Sequence, residues 1–260
     1  MTRPSVLITG GAKRIGAHLA RAFGDAGWHV VIHYGQSRDA AQALAASLPS
    51  AEIARCDLAD GDAAVEMAHA LAQRLDDWRV LINCAAVFRY DGAAGIDPSV
   101  MAEAMAVNAI TPTRLAQAFL APADQGGAQS RGGRRVINLL DMKLANPNPD
   151  FFSYTMAKHA LGATVRMLAM AAQDGGARRP DDRVYGLAPG AMLPSWDQAP
   201  HEHQTSGRMN LLGRLTELDD LASTALFLSQ GWLASGETVF VDSGQHLLSQ
   251  PRDVLYLARS

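Results

Sequence analysis

The chain has 260 residues, 48% of them hydrophobic and 19% charged, with 23 Lys and Arg against 26 Asp and Glu for a formal net charge of −3. That is the profile of a globular protein with enough chain to bury a sizeable core, and it lacks the basic field needed to neutralise a nucleic-acid backbone. No apolar run approaches the ~20 residues of a membrane span, and the five strand-like residues before Gly10 are too few for a signal-peptide core. The expectation is a cytoplasmic protein with neither a nucleic-acid nor a membrane partner.

Strands are expected at Ser5–Thr9, His29–Tyr34, Glu52–Cys56, Val80–Asn83, Arg135–Leu140, Arg183–Leu187 and Thr238–Val241. Most are continuously apolar, as parallel strands covered on both faces should be. Helical patterns fall between them, near Arg14–Ala26, Arg38–Leu48, Gly61–Leu75, Pro98–Leu120, Phe151–Gln173 and Glu217–Leu228. Regular alternation of this kind specifies an α/β protein with right-handed crossovers. The reading is a single-domain Rossmann fold over residues 1–260, a doubly wound parallel seven-stranded sheet with helices on both faces.

Two stretches interrupt the pattern. Ala121–Gly133 carries Gly126, Gly127, Gly132 and Gly133 among polar residues and reads as a surface loop. Ala191–Leu211 follows a Pro-Gly pair and runs through Trp196, His201 and His203 without a period, so it is either a connector or a substrate-covering segment. His201-Glu202-His203 has no third ligand nearby in sequence, and no metal is expected. Cys56 and Cys84 lack CxxC spacing and read as small core residues. The pairs Arg134/Arg135 and Arg178/Arg179 read as solvated loop ends.

Leu7-Ile8-Thr9-Gly10-Gly11-Ala12-Lys13-Arg14-Ile15-Gly16 is a strand, a Gly-rich turn and a helix start. A dinucleotide phosphate needs that context, because glycines let the backbone approach and the helix N-terminus offers free N–H groups. A plain strand–helix turn would share the glycines, and the spacing is not GxGxxG. At the tip of the second strand stands His33-Tyr34-Gly35-Gln36-Ser37-Arg38, with no carboxylate to bind a ribose 2′-hydroxyl or repel a 2′-phosphate. Arg14, Ser37 and Arg38 can serve a phosphate, so NADPH is the expected cofactor. Tyr154 and Lys158, at i and i+4, share one helix face. The expectation is that the lysine cation lowers the phenol pKa and makes Tyr154 a usable acid for hydride acceptance by a carbonyl or imine.

With these residues the sequence resembles the short-chain dehydrogenase/reductase family over nearly its whole length. The matching elements are Thr9-Gly10 to Gly16, Asp57-Leu58, Asn83-Cys84-Ala85-Ala86, Val107-Asn108, Tyr154-x-x-x-Lys158, Pro189-Gly190 and Val241-Asp242-Ser243-Gly244. The resemblance implies a cofactor held by Gly10, Arg14, Ile15, Gly16, His33, Tyr34, Ser37, Asp57, Leu58, Asn83, Ala85, Tyr154, Lys158, Pro189 and Gly190. It implies Asp57 at the adenine, Lys158 on the nicotinamide ribose, Asn108 holding a relay water, and a homotetramer; the apolar content of the two long helices fits subunit contacts and ordinary core packing equally well.

Departures from the family pattern narrow the reading. Arg14 replaces the middle Gly of TGxxxGxG, and Asp141 stands where the catalytic Ser is usual, as in the pteridine reductase branch. His33-Tyr34 to Ser37 and Phe88 also resemble that branch. The resemblance implies a pterin substrate held by Phe88, Arg14, Asp141 and Tyr154, with Tyr154, Lys158, Asp141 and Asn108 as catalytic residues. A reductase of a small carbonyl or 3-oxoacyl substrate and a non-catalytic NADPH sensor stand as alternatives. Tyr185 and Ser243, where the family usually has Asn and Gly, fit no branch.

Overall fold

The computed structural model describes residues 3–171, 180–195 and 197–259. Trp196, Arg178, Arg179 and the end of the helix expected to reach Gln173 lie outside them. Among the described residues the strands are β1 (Ser5–Ile8), β2 (His29–Tyr34), β3 (Ala51–Arg55), β4 (Trp78–Asn83), β5 (Arg135–Leu139), β6 (Arg183–Pro189) and β7 (Thr238–Val241). All pair in parallel in the order β3-β2-β1-β4-β5-β6-β7. The order reverses at β1/β4, so a crevice opens there beyond the carboxyl ends of the strands.

Helices α1 (Arg14–Asp25), α2 (Arg38–Ser47) and α8 (Leu218–Gln230) lie on one face. On the other lie α3 (Gly61–Arg74), α4 (Pro98–Met105), α5 (Thr111–Leu120) and α6 (Phe152–Ala171). Val6, Ile8, Val30 and Ile32 pack with Leu19, Phe23 and Leu221 on the first face. Leu7, Val31 and Leu81 pack with Leu71, Leu115, Phe119 and Leu161 on the second. Successive residues of β1 and β2 therefore enter opposite cores, which is why these strands read as unbroken apolar runs. Short helices α7 (Pro200–Ser206) and α9 (Val254–Leu257) complete the chain; neither has a long enough pattern to stand out in sequence.

The structure corrects the sequence reading in several places. β4 begins at Trp78, two residues early, because the indole is buried and donates to the Val80 carbonyl at 2.8 Å. The expected helix Pro98–Leu120 is split by a π-turn at Ala106–Ile110. Pro112 has no N–H for the Asn108 carbonyl, so the α-helical ladder cannot continue through this turn. Arg134 is not a solvated loop end: it is 2% exposed, pairs with Asp182 at 2.6 Å and donates to the carbonyls of Phe119, Leu120 and Ala121, closing the end of α5. On the two long helices Leu115, Phe119, Leu161, Val165 and Leu168 are buried in the core of the chain, while Met156 is exposed and Met101 and Met105 are half-buried. No helix of the described residues is long and apolar enough to cross a membrane.

Candidate active site

A cleft of about 580 Å³ opens at the carboxyl edge of the sheet, within the range of small-molecule sites. Its floor is the Gly-rich turn. Gly10 has φ 63°, and a Cβ there would lie 2.9 Å from Ala85 Cα. A Cβ on Gly16 would strike the Gly10 carbonyl, so only glycine lets α1 come this close to the strand end. Thr9 Oγ1 accepts from the Cys84 and Ala85 N–H groups at 2.9 and 3.1 Å, tying the ends of β1 and β4 together. Lys13 is the N-cap of α1 and makes no side-chain cap bond, and the first turn holds no acidic residue. An anion therefore meets an uncapped, positive helix end.

Arg14 and Ser243, both at positions where glycine is usual in the family, have φ of 52° and 55°. The left-handed backbone explains the usual glycine, and a side chain there costs roughly 1–2 kcal/mol. Arg14 donates to the Pro194 carbonyl at 2.8 Å, and Ser243 Oγ bonds Thr216 Oγ1 at 2.7 Å.

Three of the expected contact residues serve the site from behind it. His33 is 2% exposed; its Nδ1 accepts from the Gly10 N–H at 3.1 Å and its Nε2 lies 3.1 Å from the Cys56 carbonyl. Burial lowers its pKa from 6.5 to about 4, so the ring is neutral and braces the turn instead of facing a ligand. Asn83 donates to the Pro112 carbonyl at 3.1 Å and to Asn138 at 2.8 Å, with no side-chain exposure to the cleft. Asn108 is fully buried, and its amide bonds the Val87 N–H at 2.8 Å and carbonyl at 2.9 Å. The side chain thus ties this turn to the loop after β4, while Pro112 leaves the Asn108 main-chain carbonyl without its α-helical donor. At the far edge Tyr34 is buried, Ser37 is half-buried and Gln36, Arg38 and Asp57 are exposed; Leu58 is buried beside them.

At the other end, Asp141 follows β5 and caps the turn Met142–Leu144, its Oδ1 accepting from the Lys143 N–H at 2.9 Å. Its Oδ2 accepts from the Tyr154 hydroxyl at 2.8 Å. Lys158 is 3% exposed, donates to the Leu139 carbonyl at 2.7 Å and sits 5.7 Å from the Tyr154 ring centroid. Burial raises the Asp141 carboxyl and lowers Lys158 from 10.5 to about 8. Tyr154 is pushed well above its ordinary value, by burial first and by the Asp141 charge second. This corrects the expectation that Lys158 depresses the phenol: Lys158 donates to the Leu139 carbonyl, and the group bonded to the hydroxyl is the Asp141 carboxyl.

Helix α6 is capped from a distance. Asp91, in the loop after β4, accepts from the Ser153 N–H at 2.9 Å and from the Ser153 hydroxyl. That bond holds the loop carrying Phe88 against the start of α6. Phe88 stacks on Phe151 at 4.0 Å and meets the Tyr154 ring edge-on at 4.7 Å. Residues Ala191, Met192, Leu193, Ser195, Gln198 and Ser206 line the cleft from the segment expected to cover substrate.

Sequence reading missed Lys13, Lys143, Phe151 and Asp253. All but Phe151 are lining residues of the cleft, and every lysine of the chain, Lys13, Lys143 and Lys158, is among them. Lysine scarcity in an arginine-rich chain was the available signal for Lys13 and Lys143; Asp253 had none. Among the described residues no group of His, Cys, Asp and Glu could hold a metal ion.

A parallel sheet with a Gly-rich phosphate turn at β1 and a Tyr-Lys pair on α6 defines a class of oxidoreductases, and the relatives agree. A family model described as enoyl-(acyl carrier protein) reductase matches residues 10–246. Short-chain dehydrogenase reductase 5 of Arabidopsis thaliana is 32% identical over 93% of this chain and 91% of its own. Pteridine reductase 1 of Leishmania tarentolae is 28% identical over 95% of this chain and 97% of its own. The solved structure of FolM alternative dihydrofolate reductase 1 from Brucella canis, complexed with NADP, matches with a TM-score of 0.84 at 29% identity and covers 96% of both chains. The chain belongs to the short-chain dehydrogenase/reductase family and is an oxidoreductase.

Proposed function

We propose that the protein is an NADPH-dependent reductase of pterins. The observation that carries the reading is the 2.8 Å bond from the Tyr154 hydroxyl to Asp141 in a buried site. A serine there would hold only the phenol. A carboxyl whose pKa is raised by burial can hold a proton and supply it through Tyr154, which suits a ring nitrogen that must be protonated as it is reduced. Similarity to a pteridine reductase and to an alternative dihydrofolate reductase complexed with NADP supports this choice.

The residues present fit the dinucleotide. The Gly10–Gly16 turn and the uncapped start of α1 would take the pyrophosphate, with Ile15 beside it. Arg14, Ser37 and Arg38 would take the 2′-phosphate, with no carboxylate at the tip of β2 to oppose it. Asp57 and Leu58 would meet the adenine, and Ala85, Pro189, Gly190 and Lys158 the nicotinamide end. When bound, the reduced nicotinamide supplies hydride. Lys158, held by the Leu139 carbonyl, orients the ribose; Tyr154 donates its proton at the hydroxyl and recovers it from Asp141; Phe88 offers a face for the ring. The segment 191–211 covers the substrate. Exposed Met156 on α6 and exposed Ile110 in the π-turn before α5 support a homotetramer, and the free thiols Cys56 and Cys84 support a cytoplasmic enzyme.

The test is NADPH consumption with a panel of 7,8-dihydropterins, ketones and 3-oxoacyl thioesters, repeated with Asp141→Ser. Dihydropterin turnover that falls strongly in the variant is expected. Ready reduction of ketones or thioesters, no reaction with any dihydropterin and tolerance of Asp141→Ser would replace this reading with a general carbonyl reductase; NADPH binding without any turnover would leave a sensor.

A further inference from the structure

We propose that Lys143 and Asp253 together read the polar edge of the substrate ring, so that the site selects a heterocycle whose amino and oxo groups flank a ring N–H. The inference rests on the pterin reading and adds to it the residues that recognise the ring. Both residues line the cleft with Asp141 and Tyr154. Their charges meet at 2.6 Å with side-chain exposures of 3% and 11%. Two desolvated ions are costly, and such a pair contributes little net stability.

Anchoring the C-terminal segment does not account for the pair. Arg252 already bonds Asp150 at 2.6 and 2.8 Å, and the Asp253 N–H donates to the same carboxylate at 2.9 Å. Arg259, further on, pairs with Glu202 of α7 at 3.0 Å and with Asp197 at 3.2 Å. The tail is therefore fastened at both ends without Lys143. Of its three ammonium N–H groups, one goes to the Asp150 carbonyl at 3.1 Å and one to Asp253. Among the described residues Asp253 accepts one further bond, from the Leu255 N–H at 3.0 Å. A donor and carboxylate lone pairs thus remain, side by side, on the wall of the cleft.

The aromatic wall sits next to them: Lys143 Nζ lies 5.1 Å from the Phe151 centroid, and Phe151 stacks on Phe88. A flat ring held against Phe88 can turn one edge to this pair. An ammonium next to a carboxylate matches a ring edge that offers a carbonyl next to N–H donors. The 2-amino-4-oxo edge of a pterin has that order, its amine and ring N–H facing the carboxylate and its oxo group facing the ammonium. Lys158 is held by Leu139 and Lys13 stands at the start of α1, so Lys143 is the lysine of the cleft left for this task.

The experiment compares kcat/KM for a 7,8-dihydropterin and for the matching 2,4-dioxo ring in the wild type and in Asp253→Asn. A preference of at least about 30-fold for the 2-amino ring is expected in the wild type, falling to within about threefold in the variant, because the carboxamide both donates and accepts. NADPH affinity should stay within about twofold, which a loosened tail alone would not combine with a lost ring preference. As a second variant, Lys143→Gln should narrow the inhibition ratio between 2-amino-4-oxo and 2,4-diamino rings by about tenfold, since the amide carbonyl accepts from a 4-amino group. Turnover of both rings with ratios unchanged in both variants overturns this inference and leaves the pterin reading standing. No turnover of either ring by the wild type overturns both.

Discussion

The two ends of the cleft are built from different materials. The cofactor end has a floor of backbone, Gly10, Gly11 and Gly16 with the first turn of α1, braced from behind by the neutral His33, by Thr9 and by Asn83, which bond within the fold. The substrate end consists of side chains whose charge is unsettled by burial: Asp141 raised, Tyr154 raised further, Lys158 brought down to about 8. A diphosphate is the same in every reaction of a dinucleotide, and a rigid surface of N–H donors suits it at any working pH. A proton must move at the other end, and groups whose pKa values have been shifted by burial are what general acid chemistry uses. Changes at the first end should therefore act on binding and stability, and changes at the second on rate.

The sharpest way to break this division is Tyr154→Phe. The variant should lose about 10²–10⁴ in kcat while NADPH affinity, read by titration, stays within a few-fold, because the hydroxyl is asked for a proton and the ring is not asked to hold the cofactor. Comparable losses in rate and in cofactor affinity would mean that the two ends are not separable.

A second prediction concerns the brace. The folded His33 has its pKa depressed from 6.5 to about 4, so the stability it confers is present above about 6.5 and is lost as pH falls toward 4. The shift corresponds to roughly 3 kcal/mol. Urea unfolding of wild type and His33→Gln should show a stability gap at pH 7 that shrinks by about that amount on acidification. A gap independent of pH would show that burial does not hold the imidazole neutral.

The smallest effect is expected at Phe88. Replacing it by Ala should raise the KM for the ring substrate by about 2–10-fold, the equivalent of a stacking contribution of about 0.5–1.5 kcal/mol, with NADPH affinity unchanged. The Phe88 ring already stacks on Phe151, so a loss of thermal stability without any change in KM would assign it to that cluster instead.

Much of this was legible in the chain. Mostly apolar strands alternating with amphipathic helices specified the parallel sheet, because burial on both faces makes the middles of β1, β2 and β4 continuously apolar and leaves the polar residues to the strand ends. Gly10, Gly16, Tyr154 and Lys158 stood out because local geometry demands them: a Cβ has no room at Gly16, and i,i+4 spacing places Tyr154 and Lys158 on one face wherever the helix lies; Asp141 stood out only against the family pattern. What the sequence could not reveal depended on distant segments meeting. Whether His33 faces a ligand or a backbone N–H was decided by β2 lying against the Gly-rich turn, and whether Arg134 is solvated by Asp182, 48 residues on. Asp253 reaches the cleft only because the tail folds back over Asp150, 103 residues earlier. The sequence determines by itself what depends on neighbours within a few residues, namely periodicity, turn glycines and helix-face pairs. Tertiary structure alone decided the partner, solvation and protonation of each polar group, since these are set by segments that no local pattern places together.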